Sequence, residues 1–175
     1  MIYGLDYYEN MLRRYSSTAE HISRVRWRFI EKLNPKVVLD YGSGVGWFRA
    51  FRPSNVEVDS FDIGKYPQTG ILHSEYDVVC FWDVLEHLKS LSEVENILQS
   101  TRYVALTTPI KPKGVDWSSW KHFKPGEHLQ YFSVSLLKRA FAKYGFKMVE
   151  SGYVECPPRE DILSAIFQRF QRVEK

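Results

Sequence analysis

The apolar positions change their period several times along the chain, and each change marks an element. From residue 17 to 33 the apolar residues Ile22, Val25, Phe29, Ile30 and Leu33 follow helical spacing, with Ser17 or Thr18 placed to cap the start. Asn34-Pro35 should end this helix, because the residue before a proline is pushed out of the α region. Val37-Val38-Leu39 is a short continuous apolar run, which predicts a strand buried on both faces. A short helix is expected over residues 46–51, and further strands over 56–62, 76–82 and 102–107. Between the last two strands, Leu85, Leu88, Leu91, Val94, Ile97 and Leu98 have helical spacing. Ser90…Glu93 and Ser92…Glu95 both fit the capping box there. Ser133 should cap a helix carrying Leu136, Leu137, Ala140, Phe141 and Tyr144, with Gly145 as its stop. Residues 146–149 predict a strand. Pro157-Pro158 breaks the chain, and residues 162–170 read as a terminal helix.

Strands alternating with helices predict an α/β fold: an open, mostly parallel sheet with helices on both faces. Such sheets bind ligands outside the carboxyl ends of their strands. The 175 residues fit one structural domain. Its expected parts are an N-terminal helical or lid segment (1–34), a central body (35–156) and a C-terminal helix (157–175). The N-terminal segment is rich in tyrosine, with Tyr3, Tyr7, Tyr8 and Tyr15. Residues 109–132 form a long connection, and connections of this length inside a compact domain commonly act as lids or binding segments.

Composition narrows the function classes. A net charge of +3 gives no argument for a polyanionic partner, because nucleic-acid binders concentrate their basic residues. Two cysteines cannot build a disulfide framework, so a reducing cytoplasm is expected, with Cys80 as a buried small hydrophobe. The opening Met-Ile-Tyr-Gly-Leu-Asp has no signal-peptide pattern, and no apolar run approaches the ~20 residues of a membrane span. The oligomeric state is not legible.

The first strand runs into Asp40-Tyr41-Gly42-Ser43-Gly44-Val45-Gly46-Trp47-Phe48. Glycines here let the backbone turn tightly and approach a ligand without Cβ clashes. Asp62 falls twenty positions after Gly42, at the end of the second strand, where a carboxylate can accept both ribose hydroxyls of a nucleoside. Dinucleotide loops read G-x-G-x-x-G; this one reads G-x-G-x-G, which makes a nicotinamide oxidoreductase the weakest option.

The D-x-G-x-G-x-G pattern resembles motif I of class I S-adenosylmethionine-dependent methyltransferases. Ser60-Phe61-Asp62-Ile63 resembles that family's second-strand end. Asp77-Val78-Val79, then Phe81-Trp82-Asp83-Val84-Leu85-Glu86-His87, resembles its fourth-strand segment. The likeness spans roughly residues 37–150 and includes the stretch from Trp120 to Phe132, which is similar to methyltransferases of the "domain 23" type. It implies a Rossmann-like, doubly wound sheet with S-adenosylmethionine as cofactor. The cofactor would be held by Asp40, Tyr41, Gly42, Ser43, Gly44, Gly46, Trp47, Asp62, Ile63, Trp82, Asp83 and Val84. One departure stands out. Only thirteen residues separate Asp62 from Tyr76, and Gly64, Pro67 and Gly70 suggest loop, so the family's third strand is expected to be missing or vestigial.

Methyl transfer from a sulfonium requires positioning and exclusion of water; a base is needed only where the nucleophile must lose a proton. His87 and His128 are the candidate catalytic residues, with Trp120, His122 and Glu86 as candidate substrate contacts. One of Trp117 and Trp120 is expected to anchor the long connection. Asp83, Glu86, His87 and His128 also resemble the E-x-x-E-H plus downstream His of small-RNA 2′-O-methyltransferases, which hold a divalent metal. The metal-free reading is preferred, since Asp83 is one methylene shorter than the glutamate it replaces. The leading expectation is O-methylation of a small molecule or glycan precursor. The alternatives are an RNA or nucleotide methyltransferase and a catalytically inactive binding protein.

Overall fold

The computed structural model describes residues 4–64, 70–157 and 159–170; Tyr3, Pro67 and Pro158 lie outside them. Ten regular elements follow in order. They are α1 (Leu5–Glu31), β1 (Val37–Tyr41), α2 (Trp47–Ala50), β2 (Glu57–Phe61), β3 (Tyr76–Trp82), α3 (Glu95–Gln99), β4 (Thr101–Pro109), α4 (Val134–Ala142), β5 (Phe146–Gly152) and β6 (Ile162–Arg169). The six strands form one sheet in the order β2-β1-β3-β4-β6-β5. β2, β1, β3 and β4 are parallel, while β6 runs antiparallel to both β4 and β5.

Alternation within the central strands explains the layers. Leu39, Val79 and Phe81 enter a core with Leu98, Leu137 and Phe141, from α3 and α4. Their neighbours Val38, Val78, Cys80 and Trp82 enter a second core with Trp27, Ile30 and Phe48, from α1 and α2. Both faces of β1 and β3 are therefore buried, as their unbroken apolar runs predict. Trp27 stacks on Phe48 at 4.2 Å, and its indole N–H donates to the Phe48 carbonyl. Cys80 is a buried free thiol in this second core.

Three expectations are corrected. The terminal helix over residues 162–170 is strand β6: its six residues from Ile162 to Phe167 are buried on both faces, a run that periodicity cannot separate from a buried helix. Within that segment, Ile162–Arg169 is thus an inserted strand rather than part of a peripheral helix. Helix α1 does not start at Ser17 or Thr18 but at Leu5, because Tyr8 is buried by tertiary contact and Thr18 bonds back to the Tyr15 carbonyl within the helix. The run from Leu85 to Leu98, where helical spacing and the capping boxes predict a helix starting at Ser90 or Ser92, is two 3-10 turns followed by the short α3. Of its two capping boxes, the one at Ser90 and Glu93 forms.

Among the described residues, the link from β2 to β3 contains no strand, only an isolated antiparallel bridge between Ser60 and Gly70. Asp59 pins this link. Its Oδ2 accepts from the Leu72 and His73 amides and, at 2.6 Å, from the Tyr76 hydroxyl. No helix among the described residues is long and apolar enough to cross a membrane.

Candidate active site

Chain order reverses beside β1: β2 lies on one side and β3 on the other. The crevice at such a switch point is where open α/β sheets take ligands. The carboxyl ends of these strands carry Asp40, Tyr41, Trp82 and Asp83.

The glycine loop is fastened to the end of β2. The Gly42 and Ser43 amides donate to the Phe61 carbonyl at 2.7 and 3.0 Å. The Gly44 amide donates to Asp62 Oδ2 at 2.8 Å, and the Gly64 amide to Oδ1 at 2.8 Å. Gly42, Gly44 and Gly46 all have positive φ, a region that favours glycine. At Gly42 a Cβ would also lie 2.4 Å from Val84 Cγ2, so the loop packs directly on the segment after β3. Gly46 faces open space instead. Asp40 is buried, and no hydrogen-bond donor reaches its Oδ2. Burial lifts its carboxyl to about pH 7, against the pull of Arg26. This arrangement suits a nucleoside carrying an ammonium group: Asp62 for ribose hydroxyls, Asp40 for the amine, and an open glycine backbone between them. Ile63 is largely exposed, Trp47 half-buried and Trp82 buried.

Asp83 sits in an ion network. Arg159 grips it with two N–H groups at 2.8 and 2.9 Å, Arg26 donates to it at 2.9 Å, and the Thr107 hydroxyl at 3.1 Å. Both arginines also donate to the fully buried Glu155, each at 2.6 Å. Burial alone would raise the Asp83 carboxyl, but Arg159 and then Arg26 hold it well below the usual range. Asp83 is thereby withdrawn from the metal set suggested by the sequence, its oxygens being committed to this network.

Glu86, His87 and His128 do meet. The rings of His87 and His128 are perpendicular, with centroids 4.9 Å apart. The Glu86 carbonyl accepts the Leu129 and Gln130 amides at 2.7 and 3.1 Å, which laces the His128 loop to the segment after β3. Oε2 of Glu86 accepts the Thr108 hydroxyl at 3.2 Å. Burial, and then Asp83, push the Glu86 carboxyl up to about 8. His87 donates from Nδ1 to the Glu127 carbonyl at 3.1 Å when that nitrogen carries the proton. Burial lowers both imidazoles, His128 to about 4, so both are neutral at pH 7.

The long connection is tied down by Asp161. Its carboxylate accepts from the Trp120 indole at 3.0 Å, pairs with Lys121 at 2.9 Å and meets His122 at 3.3 Å. Trp120 is therefore the anchor, and Trp117 lies half-exposed against it. Asp161 thus holds the Trp120 indole and meets one ring nitrogen of His122, whose ring stacks 6.4 Å from His128.

Sequence reading missed Arg26, Glu155, Arg159 and Asp161. Arg26 alone left a signal: it shares the buried stripe of α1 with Ser23, Trp27 and Ile30, where an arginine demands partners.

The family described as a methyltransferase domain matches residues 10–151. Among solved structures, magnesium protoporphyrin IX methyltransferase from Synechocystis PCC 6803 with bound SAH aligns with a TM-score of 0.63 at 18% identity, covering 86% of this chain and 83% of that one. The same enzyme with bound SAM aligns at 0.58, with 16% identity and coverage of 86% and 79%. The 16S rRNA methylase ArmA aligns at 0.53, with 18% identity and coverage of 93% and 91%. At these identities the likeness shows a shared fold. No curated protein sequence matches the chain.

Proposed function

The chain belongs to the methyltransferase-domain family and is an S-adenosylmethionine-dependent methyltransferase; we propose that its acceptor is an oxygen of a small molecule or glycan precursor. The observation that carries this reading is the meeting of two imidazoles, half-buried His87 and buried His128, on the segment after β3 whose Val84 packs on Gly42.

The cofactor supplies an electrophilic methyl group on a sulfonium whose leaving group is neutral. The protein has to bind and orient both partners and manage one proton. In this reading Asp62 accepts the ribose hydroxyls and Asp40 pairs with the amino group. Val84 packs on Gly42, and His87 lies three residues further on, so one short segment links cofactor loop and acceptor side. A hydroxyl acceptor must lose its proton near the transition state, and His87 or His128 receives it.

A nucleic-acid acceptor is the second reading, because the fold is shared with an rRNA methylase. The lysines of the long connection argue against it. Lys111 is folded onto the Val115 carbonyl, Lys121 pairs with Asp161 and Lys124 with Glu127. Three of its basic groups are thus committed within the protein.

The test is incubation with methyl-labelled cofactor and fractionated cell extract. Label in a low-molecular-weight, oxygen-methylated product, lost with His87→Ala or His128→Ala, supports the proposal. Label in an RNA fraction, with binding that falls steeply with salt, points to the second reading. Absence of transfer to any fraction despite tight cofactor binding points to an inactive binding protein.

A further inference from the structure

We infer that Asp83 is a positioning residue for the cofactor: its ion network locks the turn after β3, and that turn seats Val84 against the glycine loop. The inference rests on the reading that this loop holds the cofactor, and it is independent of the acceptor.

Asp83 is one of two non-glycine residues with positive φ among the described residues, at +61°. Residues with a Cβ enter this region at a cost, aspartate and asparagine more readily than the rest. Such a conformation persists where its surroundings over-determine it, and places of this kind cluster at functional sites. The surroundings of Asp83 do so. Its amide donates to the Thr107 carbonyl at 3.1 Å, extending the pairing of β3 with β4 beyond Trp82. Its two oxygens accept four donors: two N–H groups of Arg159, one of Arg26 and the Thr107 hydroxyl. A carboxylate offers about four acceptor sites, so the protein itself fills them. Asp83 acts through what it holds in place.

The donors converge from three parts of the chain: Arg26 from α1, Thr107 from β4, and Arg159 from the link between β5 and β6. Arg26 also lies over the Trp82 ring, 5.1 Å from its centroid, so the residue before the turn is held as well. Buried Glu155 pairs with both arginines and fixes them relative to each other. A buried ion network is weak evidence for stability, since packed apolar side chains of similar volume commonly serve as well. What this one supplies is a single conformation of the turn.

That conformation reaches the cofactor loop in one step. Val84 follows Asp83, and its Cγ2 stands 2.4 Å from where a Cβ on Gly42 would lie. Gly42 opens the stretch whose amides fasten to β2 and Asp62: Gly42 and Ser43 donate to the Phe61 carbonyl, and Gly44 donates to Asp62. Moving the Asp83 turn moves Val84 against or away from Gly42, and with it the backbone that approaches the cofactor.

Asp83→Gly tests this, because glycine adopts the left-handed turn freely while every bond of the carboxylate is removed. In the full chain without ligand, amide hydrogen exchange at Gly42, Ser43 and Gly44 should rise about 3–30-fold more than at the amides of β5 and β6. SAH affinity, measured by calorimetry at a temperature where the variant is folded, should fall by a similar factor. Arg159→Lys keeps a positive charge but loses the two-pronged grip, and should shift both readouts in the same direction by less. It also serves if Asp83→Gly does not fold, since Arg26 still holds Asp83 there. Glu20→Ala, which breaks an exposed pair with Arg24, should match wild type in both. Loop exchange that rises no more than exchange in β5 and β6 overturns the inference, because a purely stabilising network would give that result. So does an unchanged SAH affinity. The cofactor reading fails separately, if Asp62→Ala binds SAH as wild type does, because loop exchange is read without ligand.

Discussion

The Tyr8 hydroxyl donates to Oδ1 of Asp62 across 2.7 Å, joining the first turns of α1 to the carboxylate proposed to hold the cofactor ribose. A carboxylate offers about four acceptor sites. Tyr8 and the amides of Gly44 and Gly64 use three, so at most one remains. Two ribose hydroxyls need two. One of these donors must therefore withdraw when the nucleoside is fully bound, and the Tyr8 hydroxyl, the side-chain donor among the three, is the one expected to move. Tyr8→Phe should tighten binding of SAH by up to about tenfold, the worth of a hydrogen bond of ~1.4 kcal/mol. Asp62→Ala should weaken binding by ~1–3 kcal/mol. Calorimetry checks both; equal or weaker binding by Tyr8→Phe would show that Tyr8 assists rather than competes.

Gly42 and Gly46 share a φ of +81° but differ in surroundings. At Gly42 an added Cβ collides with Val84, whereas at Gly46 it meets nothing within 4 Å. Gly46→Ala should cost about 1–2 kcal/mol, the strain of a left-handed residue. Gly42→Ala should cost that and a further ~1–3 kcal/mol of overpacking. Urea denaturation gives the order directly, and equal midpoints would refute it.

Asp40 links stability to pH. Its folded value, about 7, lies above the usual carboxylate value, because burial penalises the charged form. The folded state therefore binds this proton more tightly than the unfolded state. Its stabilising contribution is present in full below about pH 4 and is lost as pH rises to about 7. Between pH 5 and 7 the thermal midpoint of Asp40→Asn should fall less than that of the wild type. Parallel curves would mean that Asp40 is already ionised in the folded protein at pH 5.

Glu155 is fully buried between Arg26 and Arg159. Glu155→Ala leaves two guanidinium groups sharing Asp83 alone. A loss of ~3–5 kcal/mol is expected, the cost of breaking a buried ion pair on one side. Denaturant titration measures it. A change under ~1 kcal/mol would show the network to be solvated, like an exposed pair.

What was legible from sequence depended on range. The loop from Asp40 to Gly46 and the capping boxes at Ser90 and Ser92 are local patterns, and the loop and the Ser90 box appear where the pattern put them. Strands β1 and β3 were marked by apolar runs between turn signals. β6 was marked by the same kind of run, but without a glycine or aspartate end to separate strand from helix, and it was assigned to the wrong class. The site's supporting contacts were out of reach. Arg26 meets Glu155 across 129 residues and Tyr8 meets Asp62 across 54, and no periodicity encodes such pairings. Asp83 shows the same limit: a motif places it after β3, while the arginines that hold it, Arg26 and Arg159, lie 57 and 76 residues away.

The position of β6 bears on how the chain assembles during synthesis. β5 touches the rest of the sheet through β6, which is made after it. Until Ile162–Arg169 has emerged from the ribosome, β4 keeps an open edge and β5 has no strand to pair with. An unpaired central strand with the apolar run Val104-Ala105-Leu106 is a template for pairing with a second nascent chain. Completion of this sheet thus waits for synthesis of β6, and the interval before it is when misassembly competes with folding.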